Sequence, residues 1–412
     1  MSAQAEGPSC AAGKQRKRIV YVQYTNPAAY PPLEHSSQIL AENNWEVLFL
    51  GTGALGADKL RLDEHPGIVV RRLPFQHPGL RQKLHYVYFN LWCIAWFLRW
   101  RPDCVYFSES QVCPLGLLTT LVGMTAIFHE HDFPQPGGAG AFTRFLQWTR
   151  NRFARRAALC VVPNARRGEH FVRSTGALRQ PLAVWNCPRT GEVSGPRLER
   201  PADGLRLLYH GSIVPDRLPV TVIEAMALLP SGVTLTVVGY ETVGAAGYIN
   251  QLRRRAAQLG IAERIRIVGT LATRRELIAV CREHDAGLAL MPMSSDDPNM
   301  GSMAGASNKP YDYLSCGLAL VVSDLPDWTD MFVKPGYGLA CDPSSAASLA
   351  EAIGGLARQP ETARKMGERG RRRVIEEWNY EHQFRPVMEL LAGRKSSGAM
   401  AHSPLEREAV SR

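Results

Sequence analysis

Three loops hold residues whose types and spacing suit a charged, hydroxyl-bearing ligand. The first, HGSIVPDR (210–217), joins an apolar run to a helical pattern that starts near Leu218. Gly211 permits close backbone approach, and Arg217 lies within one turn of the helix start. A helix N-terminus with a guanidinium beside it is a ready diphosphate site. The plain alternative is a strand-turn-helix join with a surface arginine. The second loop, SMAGASNKPYDYLSCG (302–317), puts Ser307, Asn308 and Lys309 at another helix start, with Asp312 on its first turn. Free amides there can hold phosphate, while a carboxylate can accept two ribose hydroxyl hydrogens. Alternatively, Ser307 or Asn308 only caps the helix and Asp312 is a favourable first-turn charge.

The third loop, FHEHDFPQPGG (128–138), brings His129, Glu130, His131 and Asp132 together. These are metal-ligand types, but no second cluster of ligand spacing and no helical HExxH accompany them, so no metal is assigned. An imidazole makes one well-aimed hydrogen bond near neutral pH, and the Asp132 carboxylate can orient His131. The alternative is a strand-end histidine satisfied by backbone. Glu34 and His35 follow the first strand, in TNPAAYPPLEHSS, as candidates for contact with a second ligand or as ordinary first-turn residues.

These loops need a scaffold, and the chain spells one out. Apolar, β-branched runs occur at 18–24, 46–51, 67–72, 103–108, 125–130, 159–164 and 182–186, then at 205–211, 233–239, 264–269, 286–291, 318–324 and 338–342. Helical patterns fill the gaps, most clearly at 33–43, 80–100, 141–157 and 166–174. Strands apolar on both faces, alternating with helices, imply parallel sheets covered on both sides. The expectation is an α/β fold of two doubly wound, Rossmann-like domains facing across a cleft. The first spans 18–190 and the second 205–380, with a Pro/Gly-rich linker at 191–204. A helix at 381–393 is expected to pack back on the first domain, with disordered tails at 1–17 and 394–412.

Composition removes several classes. Hydrophobic residues at 45% and charged ones at 21% describe a folded chain, neither disordered nor collagen-like. No run reaches the roughly 20 apolar residues that span a bilayer, and the first 13 residues lack a signal's apolar core. A cytoplasmic location is expected. The nine cysteines are scattered and read as reduced core thiols. Of the net charge of +10, a local +8 falls between Arg144 and Arg179, with nine arginines against Glu169. No nucleic-acid module accompanies it. Beside the aromatic run at 86–98 it suggests a peripheral contact with an anionic membrane surface, or else a core helix with solvated arginines beside it.

HGSIVPDR, VVGYE, RIVGTL and SNKPYDYLSCGLALVVSD resemble, in order and spacing, the nucleotide-binding half of group 1 (family 4) glycosyltransferases of GT-B fold. Gly211 and Arg217 match a glycine turn with a basic residue six positions on. Asn308, Lys309, Asp312, Tyr313, Leu314 and Gly317 match an NKxxEYxxxG-type element. The resemblance implies a retaining hexosyltransferase-type enzyme acting in polysaccharide or glycolipid assembly; no cofactor is expected, and no metal is required if Arg217, Lys309 and the amides near Ser307 carry the leaving-group charge. It implies a nucleotide-diphosphate sugar in the second domain and a sugar or lipid-linked acceptor in the first. Gly211, Arg217, Ser307, Asn308, Lys309 and Asp312 would bind the donor. His131 with Asp132 would be catalytic, and Glu34 and His35 would contact the acceptor. Two departures stand out: Ser212 replaces a frequent arginine, and Ala304 falls where many relatives carry a first glutamate. A sugar-nucleotide epimerase or hydrolase on the same fold, and a non-catalytic nucleotide-sugar-binding protein, remain as alternatives.

Overall fold

The computed structural model describes residues 16–134, 140–196 and 204–393. The expected tails lie outside these residues, apart from Arg16 and Lys17, as does part of the expected linker. Strand β1 already begins at Lys17.

The first sheet is built from β1 (Lys17–Val22), β2 (Trp45–Thr52), β3 (Ile68–Leu73), β4 (Cys104–Ser108), β5 (Thr125–His129), β6 (Leu159–Val162) and β7 (Leu182–Ala183). Its order is β3-β2-β1-β4-β5-β6-β7, and every pairing is parallel. The second sheet contains β8 (Leu205–Ser212), β9 (Val233–Tyr240), β10 (Ile265–Gly269), β11 (Ala286–Ala289), β12 (Ala319–Ser323) and β13 (Gly338–Cys341). Its order is β10-β9-β8-β11-β12-β13, again parallel throughout. The order reverses between β1 and β4 in one sheet and between β8 and β11 in the other. Such reversals open a crevice beyond the strands' carboxyl ends.

Central strands are apolar on both faces because both faces are covered. One face of the first sheet meets Phe89, Cys93 and Phe97 of helix Leu80–Trp100, and Phe153 of helix Ala141–Ala154. The other face meets Leu33 and Leu40 of helix Pro31–Glu42. The eight described cysteines are buried and free.

The last helix, Tyr380–Leu391, crosses from the second domain and docks on the first. Tyr380, Phe384, Val387 and Leu391 recur every three or four residues, which makes one apolar stripe. That stripe packs among Ile19, Tyr21, Leu33 and Leu40. Asn379 sets the corner. Its side-chain oxygen accepts from the His382 amide at 2.9 Å, while its amide group donates to Val374 and Ile375 carbonyls at the preceding helix end. Phe384 is fully buried, so Phe384→Ala should cost about 3–5 kcal/mol through lost burial and a residual cavity. Urea unfolding followed by circular dichroism measures it, and an unchanged curve would show that this helix does not hold the first domain together.

Candidate functional site

The two crevices face each other across a cleft of about 630 Å3. Its first-domain wall includes Tyr30, Glu34, Arg61, His131 and Asp132. Its second-domain wall includes Gly211, Arg217, Ser307, Asn308, Lys309 and Asp312. The cleft thus gathers every sequence-nominated residue except His35. That histidine is buried, with Nε2 3.1 Å from Glu192 Oε2 in the segment that joins the two domains.

The basic pole forms where β8 ends. Gly211 has φ +107°, a conformation that disfavours L side chains, and a Cβ there would lie 3.2 Å from Lys309 Nζ. Glycine therefore lets the ammonium reach the loop. Lys309 Nζ also lies 5.5 Å from the Tyr209 ring centroid. Burial, reinforced by Arg217, pushes the Lys309 pKa well down. Arg217 sits in the turn before helix Val220–Leu228, and its Nη2 approaches Met300 Sδ at 3.7 Å.

Helix Asn308–Ser315 starts with Ser307 in the N-cap position, yet no side chain caps it. Ser307 Oγ and Asn308 Oδ1 are buried without a protein partner among the described residues. The plain capping role considered for them is therefore not realised, and Asp312, the fifth residue of the helix, lies beyond the first turn expected for it.

In the third loop the four polar side chains diverge. His129 Nδ1 shares a 2.8 Å hydrogen bond with Tyr106 Oη, and Glu130 forms a buried bidentate pair with Arg150. Asp132 does not orient His131, contrary to expectation. It accepts from Arg167 Nη1 at 2.9 Å, while neither ring nitrogen of His131 has a protein partner among the described residues. The His131 ring lies 5.0 Å from Tyr30 and 3.7 Å from His129. Burial pushes its pKa down to about 3, so it is a neutral imidazole that can donate from one nitrogen and accept at the other. Among the described residues no three His, Cys, Asp or Glu side chains form a metal-holding group.

Asp312 is held by a residue that the local motifs did not reveal. Arg274 donates to Oδ1 at 2.5 Å and to Oδ2 at 3.3 Å, and it also binds Glu192 at 2.5 and 3.1 Å. Against the upward push of burial, Arg274 and His35 hold Glu192 well below the carboxylate range. Each carboxylate oxygen has a second lone pair, so Asp312 can still accept ribose hydroxyls while keeping Arg274.

A second set of contacts docks the loop 299–306 onto the first domain. Asn164 donates to Ser302 and Ala304 carbonyls at 2.9 and 2.6 Å. Asn299 exchanges both amide hydrogen bonds with the Phe133 backbone. Arg167 donates to the carbonyls of His131, Asn299 and Ser302. Arg150 and Arg167, counted among the nine basic residues, are buried structural groups, whereas the other seven arginines are exposed.

Comparison places this architecture among known enzymes. TM-scores of 0.69 and 0.66 relate it to Anabaena HepE in complex with UDP and glucose, and to sucrose-phosphate synthase from Thermosynechococcus elongatus. The respective identities are 14% and 17%, with 92% of this chain covered in both cases and 100% and 99% of the other chains. WaaG, a glycosyltransferase involved in lipopolysaccharide biosynthesis, matches at TM-score 0.60 and 12% identity, covering 91% of this chain and 100% of its own. These likenesses define the GT-B fold. Residues 195–373 match the family described as glycosyl transferases group 1, and residues 33–187 match the glycosyl transferase 4-like domain. The chain belongs to the group 1 glycosyltransferases. No curated protein matches its sequence.

Glu34, in the first turn of helix Pro31–Glu42, accepts from the Asp63 amide at 2.7 Å. Burial raises its pKa from 4.5 to about 7, although that amide opposes the shift. A carboxyl with a folded pKa above its unfolded one loses stability as pH climbs between the two values, and the full penalty remains above the higher. Glu34→Gln should therefore raise stability at pH 8 by on the order of 3 kcal/mol, with the gain vanishing below about pH 4.5. Thermal unfolding across pH 4–8 measures it, and a gain independent of pH would refute the assignment.

Proposed function

We propose that the protein is a retaining glycosyltransferase that moves a hexosyl group from a uridine-diphosphate sugar to an acceptor hydroxyl. The observation that carries this reading is the polarity of the cleft. Arg217, Lys309 and the Gly211 turn form a cationic pole, beside the uncapped helix start at Ser307 and Asn308. The neutral His131 imidazole and Tyr30 lie on the wall across from it, where the charge of Asp132 is paired with Arg167. HepE in complex with UDP-glucose supports uridine and a hexose as the first donor to test. The retaining outcome rests on the family resemblance.

During transfer the bond from the anomeric carbon to the diphosphate oxygen breaks, and the bond to the acceptor oxygen forms. The acceptor's proton balances charge on the departing diphosphate. Arg217, Lys309 and the helix-start amides offset the developing charge, in place of a metal ion. An arriving diphosphate also opposes the burial that depresses Lys309. In this reading His131 makes one neutral hydrogen bond to the sugar, and Asp312 accepts from the ribose hydroxyls. Glu34, Tyr30 and Arg61 line the acceptor side.

Arg217→Ala should weaken UDP-sugar binding by about 1.5–3 kcal/mol, the worth of a charge-assisted hydrogen bond. Calorimetry, with radiolabelled transfer assayed in chelator, tests this together with the metal-free reading. Unchanged affinity would remove Arg217 from the site. Donor conversion without an acceptor would favour an epimerase or hydrolase.

A lipid-linked acceptor at a cytoplasmic membrane face is supported by the first domain's outer surface. Among the described residues no helix is long and apolar enough to cross a membrane. Only Phe89, Cys93 and Phe97 of helix Leu80–Trp100 are buried, so it is not the simple core helix considered from sequence. Leu84, Val87, Tyr88 and Leu91 are exposed on that helix, and Phe142, Phe145 and Trp148 are exposed on the basic helix Ala141–Ala154. The Tyr86–Phe142 edge contact at 5.3 Å joins the two helices. Arg81 and Lys83 are exposed on the first of these helices, and Arg144 and Arg152 on the second. Basic residues near an anionic bilayer contribute about 1 kcal/mol each, screened by salt. The protein should sediment with phosphatidylglycerol vesicles at low salt and less at high salt. Protein left in the supernatant at low salt would end the membrane reading.

A further inference from the structure

One polar group on the cleft wall belongs to neither of the loops nominated for the donor. Asn186 follows β7, where the chain leaves the first domain, and only 9% of it is exposed. It is pinned at two points. Its backbone amide donates to the Gly305 carbonyl at 2.8 Å, and its side-chain Nδ2 donates to the Ala306 carbonyl at 2.6 Å. The second bond fixes the amide's sense, because a flipped group would set oxygen against oxygen. Asn186 Oδ1 is left buried, without a protein partner among the described residues. The residue lines the same cleft as His131 and Ser307.

The chemistry of that atom narrows its ligand. A carbonyl oxygen only accepts, so it cannot bind a diphosphate, which offers no hydrogen at neutral pH. It must face a hydroxyl or N–H donor. On the functional reading above, on which this step rests, Asp312 is already placed for the ribose hydroxyls. The remaining donors of a uridine-diphosphate sugar are the hydroxyls of the transferred sugar and the uracil N3–H, and the UDP arm of the test below separates the two. The cationic pole holds the diphosphate on the second domain. The sugar beyond it points toward the first domain, where the chain carrying Asn186 begins its crossing.

We propose that Asn186 contacts the donor sugar and helps determine its specificity, its immobilised Oδ1 accepting a hydrogen bond from a sugar hydroxyl. An acceptor held in place by two other bonds costs little to organise when the ligand arrives. The wrong epimer leaves it buried and unpaired, which is how a polar site discriminates between similar sugars.

The test compares UDP with UDP-glucose, UDP-galactose and UDP-N-acetylglucosamine by calorimetry, on the full chain and on Asn186→Ala. The expected result is UDP affinity unchanged within about twofold. For the preferred sugar nucleotide, the ratio of its affinity to that of UDP falls by roughly two- to tenfold, the range of one net hydrogen bond. Asn164→Ala is the companion variant, because it loosens the same 302–306 loop without removing a free acceptor. It should lower thermal stability and leave that ratio intact. Parallel loss of UDP and UDP-sugar affinity in Asn186→Ala would make the residue a linker brace and overturn the proposal. Unchanged ratios across the panel, or the same ratio change in Asn164→Ala, would overturn it as well. A parent protein that binds no UDP would instead refute the functional reading first.

Discussion

A single buried guanidinium, that of Arg274, serves two carboxylates from different parts of the chain. Glu192 comes from the crossing between domains, and Asp312 comes from the helix at the cleft. His35 extends this set of contacts into the first domain, and His210 approaches Asp312 at 3.5 Å on the other side. Removing one partner from such a group leaves an uncompensated buried charge, a cost of about 3–5 kcal/mol. The relative placement of the two cleft walls therefore depends on electrostatics more than on apolar contact at this point. The same contact holds Asp312 in one rotamer facing the cleft.

Arg167 plays the equivalent part on the opposite side. It joins the His131–Asp132 loop to the 299–303 segment, so a segment that belongs to the second domain by sequence is held by the first. Asn164 and Asn186 extend that attachment as far as Ala306. Ala304, standing where many relatives have a carboxylate, presents its carbonyl to Asn164. In this chain the position serves docking between domains.

The fold was legible because parallel strands covered on both faces are nearly continuous apolar runs, and turn residues punctuate them. The cleft was legible for a related reason: loops after such strands must lie at one end of the sheets. What escaped is long-range. Arg274 opens a helix with the ordinary capping box Thr273–Glu276, and nothing local distinguishes it from Arg275. Glu192 lay in a stretch read as linker because it lacks periodicity. Their partnership spans 82 positions, and no short pattern encodes it. Asn164 and Asn186 did leave a trace, since each closes an apolar run in VVPN and VWN. The surface charge was overstated from composition because arginine count says nothing about depth, and Arg150 and Arg167 are among the largest fully buried side chains.

The return of helix Tyr380–Leu391 to the first domain means that the chain crosses the interdomain boundary twice. The two crossings lie side by side: the Tyr380 amide donates to the Pro188 carbonyl at 2.8 Å, and Glu381 accepts from Arg189 and Thr190. Two adjacent, hydrogen-bonded chain segments act as a strap, not as a swivel. A strap bends readily about one line and resists twisting about its length. Any relative movement of the two cleft walls would thereby be confined close to a single rotation, one that keeps His131 opposite the same stretch of the second domain.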